Sequence, residues 1–320
     1  MDPLNPRRAA LVMLAQRLGQ AVVVAVLVST LGFLMMRALP GDVAFRIAAG
    51  RYGYDMVTAA AADAVRTELQ IDRPILVALG HWWRELAHVN LGTSMVSGEP
   101  VTTLIAHQLG STLQLAGLAM GLALAIGPAL GFAAGRRAGG RFDDGLRAGA
   151  VAIRAVPPFM LGLLLVMLFS VQIGALPAAA DGEPGSLVLP AVTLAVGLIA
   201  SSSRVARDAM WAVSRSPFFL FARTKGLTDG DALWRHGLRN AAVPVVAYVG
   251  VQLVYLIEGV VVVESLFAWP GIGHALVHAI FERDVPMIQG TVLVMALGFV
   301  LLNTLVDVAC LAIDPRRRAA

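Results

Sequence analysis

Lysine and cysteine are almost missing from this chain of 320 residues, and charge of either sign is scarce. Lys225 is the only lysine and Cys310 the only cysteine. A single cysteine excludes an intrachain disulfide and a thiolate metal cluster. Cys310 lies in an apolar run, where it reads as a small buried hydrophobe. Charged residues make up 14% of the chain and hydrophobic ones 58%. Soluble domains carry about a quarter charged residues, and a soluble protein this apolar would expose large greasy patches. Lipid is the simpler solvent. A phosphate-binding loop of the Walker A type needs Gly-Lys-Ser/Thr after a glycine-rich turn. Lys225 precedes Gly226 instead, so nucleotide binding is not expected here. No H-E-x-x-H and no hydrolase constellation occurs, which sets an enzyme aside.

What is present is a series of long apolar runs. A bilayer core takes about 20 apolar residues in helical form. Such runs are Leu18–Met36, Ser111–Ala134, Ala148–Val171, Leu187–Ser203, Val243–Phe267 and Gln289–Ile313. The first is too long for a signal peptide and has no clear cleavage site. Pro157-Pro158 should kink the third run or divide it. An all-α integral membrane protein of about six transmembrane helices follows. Its expected parts are 1–37 (N-terminus and first helix), 38–107 (an outer loop) and 108–320 (the core).

Arginine sets the expected orientation. Arg7, Arg8 and Arg17 precede the first helix, and Arg136, Arg137, Arg141 and Arg147 follow the second. Seven further cations lie between 204 and 239, and Arg316–Arg318 close the chain. With six helices all four groups fall on one side, so both termini are expected in the cytoplasm. The outer loop from Pro40 to His107 is too long for a turn. Thr58–Leu69 and Pro74–His88 have helical character, with Asp72-Arg73-Pro74 as a break.

The inner segment 204–244 mixes Trp211, Phe218, Phe219, Phe221 and Trp234 with arginines. Gly226 should end one helix, and Thr228-Asp229 can cap the next. Aromatic anchors on an exposed helix–turn–helix suit a docking surface; a basic loop along the anionic leaflet is the alternative. Within it stand ARTKGL (222–227) and WRHGLRNAAVPVV (234–246). These resemble the cytoplasmic coupling motif of permeases in the dipeptide, oligopeptide and nickel branch of ATP-binding-cassette importers. Leu220 and Phe221 depart from it, where the general motif has glutamate and alanine. The resemblance extends to LPGD at 39–42, LQIDRPILV, NLGTSMVSGEPV, the stretch from VVVESLFAWPGIG to FERDVPMIQG, and NTLVDVACLAIDPRRR.

The resemblance implies a type I ABC importer permease fold with cytoplasmic coupling helices, in a bacterial inner membrane. It also implies a second homologous permease, two ATPase subunits holding ATP-Mg, and an extracytoplasmic binding protein. This chain would need no cofactor of its own and would not bind nucleic acid. The coupling residues implied are Ala222, Arg223, Lys225, Gly226, Leu227, Arg235, His236, Arg239 and Asn240. Peptides are the first cargo reading and nickel or a metal chelate the second. A channel or secondary transporter working without ATP, and a non-transporting scaffold, are rivals of another class.

Ionisable groups in apolar runs mark pathways or buried partners. Glu258 either lines the pathway or meets a polar neighbour. Glu264, Ser201 and Ser202 are further pathway candidates, and Asp307 is assigned to structure. Arg154 should pair with an acid or face the inner interface. His274, His278 and Glu282 share one face if helical, which suits a metal or a solvated surface. With Asp42, Pro270, Gly271 and Gly273 they form the expected outer gate and binding-protein contact.

Overall fold

A computed structural model describes residues 6–38, 41–53, 57–69, 74–179, 183–233 and 237–313. Among them the chain is all-α apart from one isolated bridge, Thr93 with Pro100. Lipid offers no hydrogen bonds, so a spanning segment satisfies its backbone internally, as a helix does. Five helices are long and apolar enough to cross a membrane: α1 (Pro6–Ala38), α5 (Val101–Arg136), α8 (Val188–Ser214), α11 (Leu238–Leu266) and α13 (Val285–Ile313). A sixth span is counted if α6 (Arg141–Ala155) and α7 (Pro158–Leu165, continued by a π-helical segment to Gln172) are taken together. They bend by 101°, so Pro157-Pro158 divides this run. Val156, before the first proline, is extended at φ −92°, ψ 124°. A residue preceding proline is pushed out of the helical region.

The helices run past their apolar windows. α5 starts ten residues before Ser111, at Val101, and α8 continues beyond Ser203 to Ser214. α11 begins at Leu238 and carries Pro244 inside it. Long polar side chains lay their stems along apolar surface and keep their heads wet, so a helix need not end where charge begins. Residues 204–214, expected in the inner loop, are therefore helical, and the non-spanning part narrows to 215–237.

The described residues form two compact units, one within 1–12, 113–269 and 302–320 and the other within 13–112 and 270–301. In the first, α8 is the central helix, packed on α6, α7 and α11. Leu115, Ala119 and Ala123 of α5, Leu194 and Leu198 of α8, and Val260 and Val263 of α11 share one core. Gly127, Gly131 and Gly135 let α5 approach α8: a Cβ on Gly131 would lie 2.3 Å from the Ser203 carbonyl oxygen. Small residues at this spacing permit close helix contact in membranes. Gln252 Nε2 donates to the Leu198 carbonyl at 2.7 Å, joining α11 to α8.

In the second unit, α2 (Val43–Tyr52), α3 (Ala59–Leu69), α4 (Ile75–Ala87) and α12 (Ile272–Glu282) accompany the spans. The two helices expected in the outer loop are α3 and α4; Asp72 and Arg73 lie outside the described residues. Thr58 caps α3 by accepting from Ala61 N at 3.2 Å. Asp42 caps α2 through Ala44 N and Phe45 N, and takes Arg66 at 2.7 Å. Arg51 meets Glu68 at 2.8 Å, tying α2 to α3.

That pair has a pH consequence. The Arg51 hydrogen bond, and then its charge, hold the Glu68 carboxyl below its ordinary value of 4.5. A carboxylate stabilised when folded contributes above its unfolded pKa and loses that contribution as pH falls through the folded one. Protection of α2 and α3 amides, corrected for intrinsic exchange, is expected to fall below pH 4.5 in hydrogen-exchange measurements. Glu68→Gln should flatten that fall.

Candidate functional site

The segment expected to face the cytoplasm is built on α9 (Pro217–Thr224) and α10 (Asp229–Ala232). Phe219 and Ala222 are buried with Met210, Ala232, Leu233 and Ala241. The opposite face of α9 leaves Phe218, Leu220 and Phe221 exposed, the last at 60%. Arg223 and Lys225 are exposed beside them, and Lys225 Nζ stands 4.7 Å from the centre of the Phe221 ring. Gly226, at φ +86°, turns the chain after α9, a conformation that costs other residues steric strain. Thr228 Oγ1 accepts from Asp231 N at 3.2 Å, so the expected cap is formed by Thr228. Arg239 and Asn240 are exposed on the first turn of α11. Trp234, Arg235 and His236 lie outside the described residues.

A second feature sits where α6 and α7 part. A half-open cleft of about 420 Å³ lies between this break, α8 and α11. Its polar lining includes Arg154, Ser201, Tyr255 and Glu258. Arg154 Nη1 donates to Ser201 Oγ at 2.6 Å, and Ser201 Oγ donates to the Gly197 carbonyl at 3.1 Å. The guanidinium lies 5.3 Å from the Tyr255 ring centre. Arg154 thus does not meet the acid that was one expectation for it: its partners among the described residues are a hydroxyl and an aromatic face. Of the four pathway candidates, Glu258 and Ser201 line the cleft. Ser202 is buried, donating to Leu198 O at 2.9 Å and lying against Gly127 of α5. Glu264 is fully buried in the first unit.

The segment expected at the outer gate begins at Pro270, which is exposed, and Gly271, which precedes α12 in an extended conformation. Ile272 N donates to Thr112 Oγ1 at 2.8 Å, and Gly273 is buried. His274 and His278 do share a face, with ring centres 4.5 Å apart. Burial, with the neighbouring His278, lowers the His274 pKa; burial raises that of Glu282 against the pull of His278. Glu282 is half-buried beside Gly50 of α2. Among the described residues, no three His, Cys, Asp or Glu side chains come together as a metal site.

Two anchors escaped the sequence reading. Asp284 is buried and accepts from Ser94 Oγ, from Met95 N at 3.1 Å and from Met287 N at 3.3 Å. Asp143 and Arg207 form a buried fork, Arg207 Nη2 to Asp143 Oδ2 at 2.6 Å and Nε to Oδ1 at 2.8 Å. The acid's position in the first turn of α6 was a usable signal; its partner 64 residues away was not.

Comparison with known proteins extends the picture over the whole chain. Residues 127–319 match the family model described as binding-protein-dependent transport system inner membrane component, and 10–116 match the N-terminal model of such components. A Brucella abortus protein, provisionally named a peptide transport system permease, is 38% identical over 96% of this chain and 98% of its own length. The glutathione transport system permease protein of Pectobacterium atrosepticum is 37% identical, covering 95% and 97%. A Sinorhizobium fredii protein named a probable peptide ABC transporter permease is 36% identical, covering 96% and 99%. Apolar helices sufficient for several membrane crossings, and family matches to both halves of the sequence, agree: this chain belongs to the family of binding-protein-dependent transport system inner membrane components.

Proposed function

We propose that the chain is one permease subunit of a peptide importer driven by separate ATPases. The observation that carries the coupling assignment is the exposed face of α9: Phe218, Leu220 and Phe221 uncovered beside Arg223 and Lys225. Aromatic anchors with flanking cations are what a partner's groove binds. The peptide assignment is supported by the names of relatives aligned over nearly their full length.

In this reading a second permease completes the pathway and two ATPases sit at α9 and α10. A binding protein meets the outer helices and the segment around Asp42 and Pro270–Glu282. Both termini face the cytoplasm, as the arginine distribution favours. ATPase closure pushes on α9, and α8 and α11, which pack together, carry the movement to the cleft.

Gly226→Val tests this. No heavy atom stands within 4 Å of a Cβ built there, so only the backbone is strained, by about 1–2 kcal/mol. The expected outcome in proteoliposomes with all partners is continued ATP hydrolysis with peptide uptake reduced severalfold. Unchanged uptake per ATP would remove α9 from the coupling role.

A further inference from the structure

Arg154 and Glu258 are both exposed and both belong to segments that otherwise read as membrane-embedded. Lipid is a costly neighbour for either charge, so such groups face a protein partner or water. They also line one cleft, and among the described residues no ion pair joins them. Glu258 makes no hydrogen bond or ion pair with another described residue. Arg154 spends one donor on neutral Ser201. A guanidinium has five N–H donors in a planar fork, so several remain for a carboxylate, which it holds best in bidentate form. Ser201, itself tied to Gly197 O, and the Tyr255 ring fix the orientation of that fork.

Most of the remaining wall is apolar, including Phe159, Leu161, Leu194 and Val262. At about 420 Å³ the cleft has the size of a small-molecule site. One fixed cation, one fixed anion and an undemanding apolar wall describe a ligand with both charges and variable side groups.

We propose that this cleft is a subsite for the charged ends of a short zwitterionic peptide, Arg154 taking the carboxylate and Glu258 the ammonium group. The proposal rests on the peptide-importer reading and adds the group each end meets. Tyr255 and Glu258 lie three residues apart on α11, hence on one face. The two charges therefore reach the cleft from separate elements, α6 and α11, that meet α8. Movement of either helix would change their separation and release the ligand.

The test uses the complete transporter, with second permease, ATPases and binding protein, in proteoliposomes. Uptake of a free dipeptide is compared with uptake of its N-acetyl and C-amide forms, each at a concentration that saturates the binding protein. Ratios of wild type to variant for one ligand cancel the delivery step. Glu258→Gln is expected to slow the free peptide and the amide by about tenfold, the worth of a hydrogen bond to a charge. The N-acetyl form should change little. Arg154→Gln should do the reverse, sparing the amide. Equal effects on all three forms would overturn the subsite.

If the wild type carries only the free peptide, conservative variants decide. Glu258→Asp and Arg154→Lys should retain most uptake where the neutral variants lose it, with assembly unchanged; equal loss in both kinds overturns the proposal. Gly197→Leu is a further check, because Gly197 lines the cleft and no heavy atom stands within 4 Å of a Cβ there. It should lower uptake while leaving assembly intact; undiminished uptake would count against the cleft. Wild-type uptake that needs ATP and binding protein is measured first. Its absence would remove the peptide reading itself, whereas indifferent variants over sound wild-type uptake remove only the subsite.

Discussion

Replacing Gly131 with alanine is expected to destabilise the subunit by about 3 kcal/mol or more, the upper end of overpacking costs. The added Cβ would stand 2.3 Å from Ser203 O, 2.7 Å from Ala206 Cβ and 2.9 Å from Arg207 N. Two of those three atoms are backbone, so no rotamer change relieves the contact and α5 must move away from α8. Gly127 and Gly135 repeat the contact one turn to either side, against Ser202 and against Arg207 O. Separation at Gly131 therefore loosens the whole seam. Gly121 lies on the same helix with no heavy atom within 4 Å of its would-be Cβ. Alanine there should be neutral, or stabilising by up to about 1 kcal/mol through helix propensity. Thermal unfolding of the detergent-purified subunit, followed by loss of the monodisperse elution peak, separates the two. A Gly131→Ala midpoint equal to that of Gly121→Ala would refute the seam.

The parts legible in the sequence were those that lipid dictates locally. Apolar windows such as Val243–Phe267 announce themselves because a spanning helix has no other way to satisfy its backbone. Gly226 and Thr228 were readable for a similar reason, since each acts on its own few neighbours. Helix ends were not legible. The turns bearing Arg207 and Trp211 continue α8 with heads that find partners, and hydropathy counts heads without partners. Arg207 illustrates the limit. Counted only as one more basic residue of the inner segment, it is also held by Asp143 and Asp208, with its guanidinium 5.6 Å from the Trp211 ring centre.

The cleft shows the same division. Glu258 stood out as an acid in an apolar run, yet Arg154 and Ser201, which share its cleft, lie on α6 and α8, 104 and 57 residues earlier. The proline pair marked a break; that the break opens one side of the cleft depends on a 101° bend that a kink would not produce. Asp284 was read only as part of a motif, because Ser94 and Met95 lie 190 and 189 residues away. Arg235 and His236 remain proposals from the motif alone.

Asp143→Ala should cost about 3–5 kcal/mol, the usual loss when one member of a buried pair is removed. The acid's side chain is fully buried and that of Arg207 is 11% exposed. Removal leaves a guanidinium facing an unfilled space, and strips Gly139 N of its acceptor at 2.9 Å. Asp208 can keep hold of Nη1 at 3.0 Å, but it is itself 70% exposed and cannot replace the buried fork. The attraction between Asp143 and Arg207 is only part of the measured loss, since both ions were desolvated on folding. A double-mutant cycle separates these contributions. Asp143→Ala with Arg207→Met should be less destabilised than the two single variants added together, by about 2 kcal/mol or more, because the orphaned charge is gone. The functional reading runs in parallel. The fork pins the first turn of α6 to α8, and α6 carries Arg154 into the cleft at its other end. In the reconstituted transporter Asp143→Asn, which keeps the shape and one acceptor, should therefore retain more uptake than Asp143→Ala. Strict additivity of the cycle, with Asp143→Ala as stable as wild type, would show that α6 is held by its apolar contacts and that the fork is dispensable.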